Sequence, residues 1–369
     1  MNLNSSLQAR VAISLLPKLN SGIYLPLIEK CGGLEGFFLE SDQALQHIYQ
    51  EFHMAPDSFD RKTAWQKANT ELEQIDKHAI QLCTIEDCLY PPLLSQCEDA
   101  PLVFFYKGSL KNPPDQKYVA IVGTRHASSL CENKVNTLLE DLVQLGCHPI
   151  VVSGLAYGID ITAHRACLKN GLTTWAVLGH GLHMIYPAGH KTMAQQIIET
   201  GGCWISEFPC IQAVHPSNFL RRNRIIAGLC HATLIAESAE KGGAMSTARL
   251  ALSYNRDVMA IPGRPDDKYS AGCNLLIKEN IAALVENAVD VARILNYPIP
   301  KIRSKQNTTT STSESEILLL QLLKEKGPLY IDELMQLSQF SSNELAAQLL
   351  QLELEGKIIG LPGKKYTLR

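Results

Sequence analysis

Between Phe219 and Gly228 three arginines, Arg221, Arg222 and Arg224, fall within four positions of one another, with Asn223 among them. Guanidinium groups at this density supply bidentate charge for phosphate. Two small-residue turns precede them in the chain. Gly123-Thr124-Arg125 follows the apolar run Tyr118 to Val122, and Ser153-Gly154 follows Ile150 to Val152. A strand end without bulky side chains lets backbone N–H groups approach an anion, and a helix N-terminus adds its dipole. These residues together predict a phosphate cradle. In it Arg125 contacts phosphate beside the bare Gly123, the arginine cluster opens a short helix, and Asn223 caps a helix that begins near Arg224.

The elements that must hold such a cradle are legible from periodicity. Six short β-branched runs, Tyr118 to Val122, Ile150 to Ser153, Thr173 to Leu178, Cys203 to Ser206, Thr233 to Ala236 and Val258 to Ile261, alternate with helical stretches. Such alternation predicts a parallel sheet with helices on both faces. The run ends carry Gly123, Gly154, Gly179, Glu207, Glu237 and Pro262-Gly263, and ligands of open α/β sheets bind outside the carboxyl ends of the strands. The fold class is therefore α/β, with a parallel-sheet domain over residues 80–299. Residues 1–75 read as a small helical unit, with apolar spacing in Leu7 to Leu16 and Tyr24 to Ile28 and a break at Gly32-Gly33. The turn from Leu16 to Ile23, with Gly22, fits either a helix-hairpin-helix or a packing module. Residues 300–313 are nearly devoid of buriable side chains and read as a flexible linker. In 314–369 three amphipathic helices, at Ser315 to Lys324, Ile331 to Leu337 and Ser341 to Leu354, precede a hairpin turning at Leu361-Pro362-Gly363, the pattern of a winged helix.

Bulk composition narrows the classes. The 369 residues are 46% hydrophobic and 19% charged, ordinary for a folded protein. A formal net charge of -3 means that a nucleic-acid site must be a local patch. The 11 cysteines include no C-x-x-C pair, against a disulfide or zinc scaffold. No signal-like segment opens the chain and no run approaches the ~18 apolar residues of a membrane span, which predicts a reducing, cytoplasmic compartment.

Two other constellations invite chemistry. His180, His183 and His190 have no carboxylate or cysteine among them, and Gly179-His180-Gly181 interrupts the helix that ligand spacing needs, so no metal is expected. Asp160 and His164 lie four apart, spaced for a general acid/base pair, and read more simply as an ion pair on one helix face.

The stretches IVGTRHAS at 121–128, SGLAYGIDITAH at 153–164, RNRIIAGL at 222–229 and Gly272-Cys273-Asn274-Leu275-Leu276-Ile277 resemble the DNA-processing protein A family, also called DprA or Smf. The resemblance spans nearly all of residues 80–295. It implies a Rossmann-like domain that binds single-stranded DNA, self-associates and loads the RecA recombinase during natural transformation, without catalysis or cofactor. By position it implies DNA contacts at Gly123, Thr124, Arg125, Ser153, Gly154, Arg222, Asn223 and Arg224, with the family's Phe-Pro before the triplet replaced by Phe219-Leu220-Arg221, in which Arg221 adds a charge to the DNA-binding set. The family's Ser-Gly-Ser loop becomes Gly242-Gly243-Ala244 beside Lys241, which leaves backbone N–H groups as the donors there. Gly272 to Leu284 resembles the self-association and recombinase-contact region, with Leu275, Leu276, Ile277 and Ile281 as its apolar face. Two alternatives stand beside this reading. Related Rossmann-like phosphoribohydrolases use a P-G-G-x-G-T loop, where this chain has Glu240-Lys241-Gly242-Gly243-Ala244. A winged helix can also read duplex DNA as a regulator, although the third helix here carries Glu344 and Glu353, with Glu355 just after it, and no Lys or Arg.

Overall fold

The computed structural model describes residues 3–16, 21–51, 60–298 apart from 112 and 114, and 314–368 apart from 339. The segment read as a linker, 300–313, lies outside the described residues, as do residues 17–20 of the Leu16 to Ile23 turn and Arg369. Among the described residues the chain forms two compact units, 1–300 and 301–369.

A nine-stranded sheet organises the first unit. In chain order its strands are β1 (Gln81–Thr84), β2 (Val103–Gly108), β3 (Tyr118–Val122), β4 (Ile150–Ser153), β5 (Thr174–Val177), β6 (Cys203–Ser206), β7 (Ala232–Ile235), β8 (Asp257–Ala260) and β9 (Ala283–Leu284). The spatial order is β1-β2-β6-β5-β4-β3-β7-β8-β9. Strands β3 to β9 run parallel, whereas β2 pairs antiparallel with β6 on one side and with β1 on the other. The chain steps outward from β3 through β6, then returns to the other side of β3 at β7, which makes β3/β7 the topological switch point.

The predicted strands hold to within a residue or two because both faces of each are covered. In β3, Tyr118, Ala120 and Val122 enter one core, while Val119 and Ile121 enter the core on the opposite face. Continuous apolar runs are what such double burial requires. Helices Ser129–Gln144 and Ile159–Lys169 cover one face; Pro216–Gly228 and Gly243–Ser253 cover the other. The N-terminal helices, Leu3–Ser14, Ser21–Lys30, Leu34–Leu39, Asp42–Glu51 and Arg61–Lys77, pack onto the β1-β2-β6 end, where Val11, Ala12, Ala68 and Ile75 share a core with Phe105, Leu178 and Trp204.

The second unit has helices Glu314–Lys326, Ile331–Ser338 and Ser342–Leu354 and a small sheet ordered β10 (Leu329–Tyr330), β12 (Lys365–Leu368), β11 (Ile358–Leu361). This is a winged helix, sealed by Leu319, Leu323, Leu334, Leu345, Leu349, Leu352 and Ile358. Ser341 and Glu344 form a capping box at the start of the third helix.

Candidate nucleic-acid interface

A cavity of about 370 Å³ opens at the switch point. Its walls come from the turn after β3, the segment after β7, the N-terminal part of Gly243–Ser253 and one side of Pro216–Gly228. Gly123, Thr124, Arg125, Arg222, Asn223, Gly242 and Gly243 line it, so much of the predicted cradle does converge.

The turn after β3 is held from below. Thr124 N–H donates to the Glu237 carbonyl at 2.7 Å, Ile159 N–H donates to the Thr124 carbonyl at 3.2 Å, and Thr124 Oγ1 accepts from His126 N at 3.1 Å. A Cβ at Gly123 would stand 2.5 Å from Ile159 Cγ1 and 2.8 Å from the Glu237 carbonyl. The packing of strand on helix therefore requires a glycine here. Gly158 has φ of 74° and a Cβ there would meet the Thr124 carbonyl at 2.2 Å, so a side chain is excluded both by conformation and by space. The result is an exposed Arg125 that makes no ion pair among the described residues.

The arginine cluster differs from expectation in its helical position and in its burial. The helix begins at Pro216, with proline in its first turn and the His215 ring accepting from Ser217 N at 3.2 Å, so the arginines lie mid-helix and Asn223 does not cap it. Successive residues of a helix point about 100° apart, and the three guanidiniums consequently part company. Arg222 is buried, 4% exposed, and donates to the carbonyls of Gly154, at 2.7 Å, and Val177. Burial pushes it down to about 10, an effect that the neighbouring buried Asp160 opposes; it remains a cation at neutral pH. Burial in turn pushes Asp160 up, against the pull of Arg222 and the N–H of Ala156. Gly154 is the clearance for this guanidinium, since a Cβ would lie 2.3 Å from Arg222 Nη1. The next residue, Leu155, sits at φ 59°, a left-handed conformation costly for a bulky side chain, which carries the chain away from β4. Ser153 is wholly buried and its hydroxyl donates to the Ile121 carbonyl at 2.7 Å. Neither Ser153 nor Gly154 is among the residues lining the cavity.

Arg221 and Arg224 face away, into a second cavity of about 610 Å³ between the end of the first helix, residues 99–103 and Glu207-Phe208. Arg224 pairs with Glu207 and donates to the Asp99 carbonyl. Arg221, 59% exposed, lies 3.5 Å from Glu207 and 5.4 Å from the Phe208 ring centre. Lys241 is exposed and outside the first cavity's lining.

An aromatic rim was not anticipated. Phe219 and Tyr269 line the cavity; Tyr269 pairs with His126 at 6.4 Å and Phe219 with the exposed Tyr186 at 5.6 Å between ring centres. Tyr157, 55% exposed, follows the lining residue Ala156 and packs its edge on His190. Exposed aromatics that face no strand partner were the available signal, but their sequence separations hide their proximity.

The remaining constellations dissolve into local structure. His164 is buried and bonds Thr174 Oγ1 at 2.8 Å, so it makes no pair with Asp160, whose counter-charge is Arg222. His180 bonds the Gly181 carbonyl and accepts from Tyr186 N, while His190 bonds the Leu155 carbonyl. In the expected self-association segment, Leu276 is 1% exposed in the main core, and Ile277 and Ile281 pack partly against it. Leu275 is partly exposed and Leu284 is 44% exposed. The helix Ala271–Lys278 turns Leu276 inward against β8, which is why the apolar run does not present one outer face.

The family model described as DNA recombination-mediator protein A matches residues 81–296, and the model of the DprA winged helix domain matches residues 303–364. The chain belongs to the DNA recombination-mediator protein A family. Among its relatives, protein Smf of Escherichia coli is 34% identical over 319 residues, covering 85% of this chain and 83% of the relative. The solved structure of DNA processing protein A from Streptococcus pneumoniae is similar with a TM-score of 0.56 at 30% identity, over 74% of this chain and 97% of that one. The protein of the same name from Helicobacter pylori, whose structure is described in terms of its single-stranded DNA binding mode, gives a TM-score of 0.51 at 27% identity, over 59% and 97%. Family membership places the chain among proteins of DNA processing and recombination.

Proposed function

We propose that this chain binds single-stranded DNA without sequence preference, holds it as a homodimer and hands it to the RecA recombinase in the cytoplasm. The observation that carries the reading is Arg125, without an ion pair among the described residues, in the lining of a cavity shared with His126, Phe219 and Tyr269, with the exposed Tyr186 packed against Phe219. One cation for a phosphate beside several ring faces for unpaired bases is the combination that single strands require and that stacked duplex cannot use. The single-strand binding mode described for the Helicobacter pylori relative supports it.

The reading is of a binding protein without catalysis. Asp160 at the cavity floor is committed to Arg222 and to the N–H of Ala156, and so is poorly placed to activate a nucleophile. The winged helix reads as an interaction module. Its third helix exposes Leu350 and Leu354, at 59% and 80%, alongside Glu344 and Glu353, a surface suited to a protein partner more than to phosphates. Association of two copies would use the partly exposed Leu275 and Leu284 at the β9 edge.

Fluorescence anisotropy with a labelled oligo-dT and its duplex form, at two salt concentrations, tests the function. Single strands should bind more tightly, and log affinity should fall with log salt by about 0.7 for each phosphate neutralised. Equal affinity for duplex, or no salt response, rejects the reading.

A further inference from the structure

The helix Arg61–Lys77 precedes the segment matched by the main family model, which begins at residue 81, and it carries a wholly buried carboxylate. The two oxygens of Glu71 accept from two successive backbone amides, Cys210 N at 2.7 Å and Ile211 N at 3.0 Å. Taking a carboxylate out of water costs several kcal/mol, which an apolar residue in the same helix would not incur. What the carboxylate supplies is a two-pronged anchor for a stretch of backbone without regular structure, since few other side chains satisfy adjacent N–H groups from one fixed position.

That stretch runs from Glu207 to His215, and both its ends act on the arginine helix. Glu207, at its start, holds Arg224 and reaches Arg221. His215, at its end, caps the helix that carries them. The opposite side of the loop is clamped as well, because a Cβ at Gly181 would lie 2.6 Å from Cys210 Cα. With the loop seated between the 181 turn and Glu71, a shift at 210–211 transmits to Glu207 within three residues and to the helix start within six.

We infer that Glu71 is a positioning residue for the strand-binding surface, through which the N-terminal helices set where Arg221 and Arg224 stand. The inference rests on the single-strand reading above and extends the binding surface from the Arg125 cavity to the second cavity lined by Arg221 and Arg224. It assigns the N-terminal unit a part in DNA affinity beyond the packing of its apolar face.

The test is a double-mutant cycle on the full chain, with oligo-dT affinity and its salt slope as readouts and the melting temperature as a check on folding. Glu71→Ala should weaken binding by about tenfold, the size of one misplaced charge-assisted bond. In an Arg224→Ala background the same change should cost little more, whereas in an Arg125→Ala background the two losses should multiply. Glu71→Gln, which keeps one acceptor oxygen, should show the same pattern at smaller size, and it carries the cycle if the alanine variant does not fold. Wild-type affinity in the folded Glu71 variants, equal losses in both backgrounds, or an Arg224→Ala variant that binds normally would overturn the inference. An Arg125→Ala variant that binds normally would instead overturn the single-strand reading itself.

Discussion

Two arginines that line one cavity, Arg222 on the helix Pro216–Gly228 and Arg125 in the turn after β3, have different surroundings. Arg222 is enclosed by carbonyls and faces Asp160, whereas Arg125 has open solvent before it. The two should therefore fail differently. Arg222→Ala should lower stability by about 3–5 kcal/mol, because it strips donors from two buried carbonyls and leaves Asp160 without its counter-charge; chemical denaturation measures it. Arg125→Ala should leave the denaturation midpoint within error and weaken oligo-dT binding by roughly tenfold, with the salt slope reduced by about 0.7. Arg125→Lys should recover part of the affinity, since an ammonium replaces the charge but not the bidentate fork. A midpoint shift from Arg125→Ala comparable to that of Arg222→Ala would contradict this division of labour.

Elements were legible where burial on two faces writes a continuous apolar run, as in β3, β4 and β6. They were hidden where that logic lapses. Strands β1 and β2 precede the alternating pattern and run antiparallel, and β9 has only two residues. At the site, the turn after β3 and the arginine helix could be named from residue types. The partners that bury Arg222 could not, because Gly154 and Val177 are 68 and 45 residues away and nothing local marks them. The segment Gly272 to Leu284 shows the same limit: an apolar helix announces that something is buried but not against what. Leu276 faces its own core, so Leu276→Asp should unfold the protein, by more than about 3 kcal/mol. Leu284→Asp, at the exposed edge strand, should leave the circular dichroism spectrum intact and shift light scattering from dimer toward monomer. Monomeric wild type at all concentrations would remove the dimer from the proposal.

At the scale of the molecule, buried histidines tie the fold to pH. Burial lowers His164 from 6.5 to about 3, and His180, His183 and His231 are lowered for the same reason. A histidine neutral in the folded state and protonated in the unfolded chain contributes nothing above its unfolded value, and then favours unfolding as pH falls toward the folded value. Stability should therefore decline from about pH 6.5 downward, at up to ~1.4 kcal/mol per pH unit for His164 alone. His164→Gln should flatten that slope in urea titrations between pH 7 and pH 4; an unchanged slope would mean that other groups dominate. Deleting residues 301–369, a separate compact unit, should leave oligo-dT affinity within a few-fold of the full chain.

The N-terminal helices leave the ribosome before the residues that cover them, for Val11, Ala12, Ala68 and Ile75 are covered by Leu178 and Trp204, and Glu71 by the backbone at 210–211. At about 5–20 residues per second, the first helix waits roughly 10–40 s for its partners. During that interval its apolar face is open to trigger-type chaperones or to another nascent chain on the same message. A protein whose helical segment is completed by residues made more than a hundred positions later thus has a synthesis-time vulnerability that its finished stability does not report.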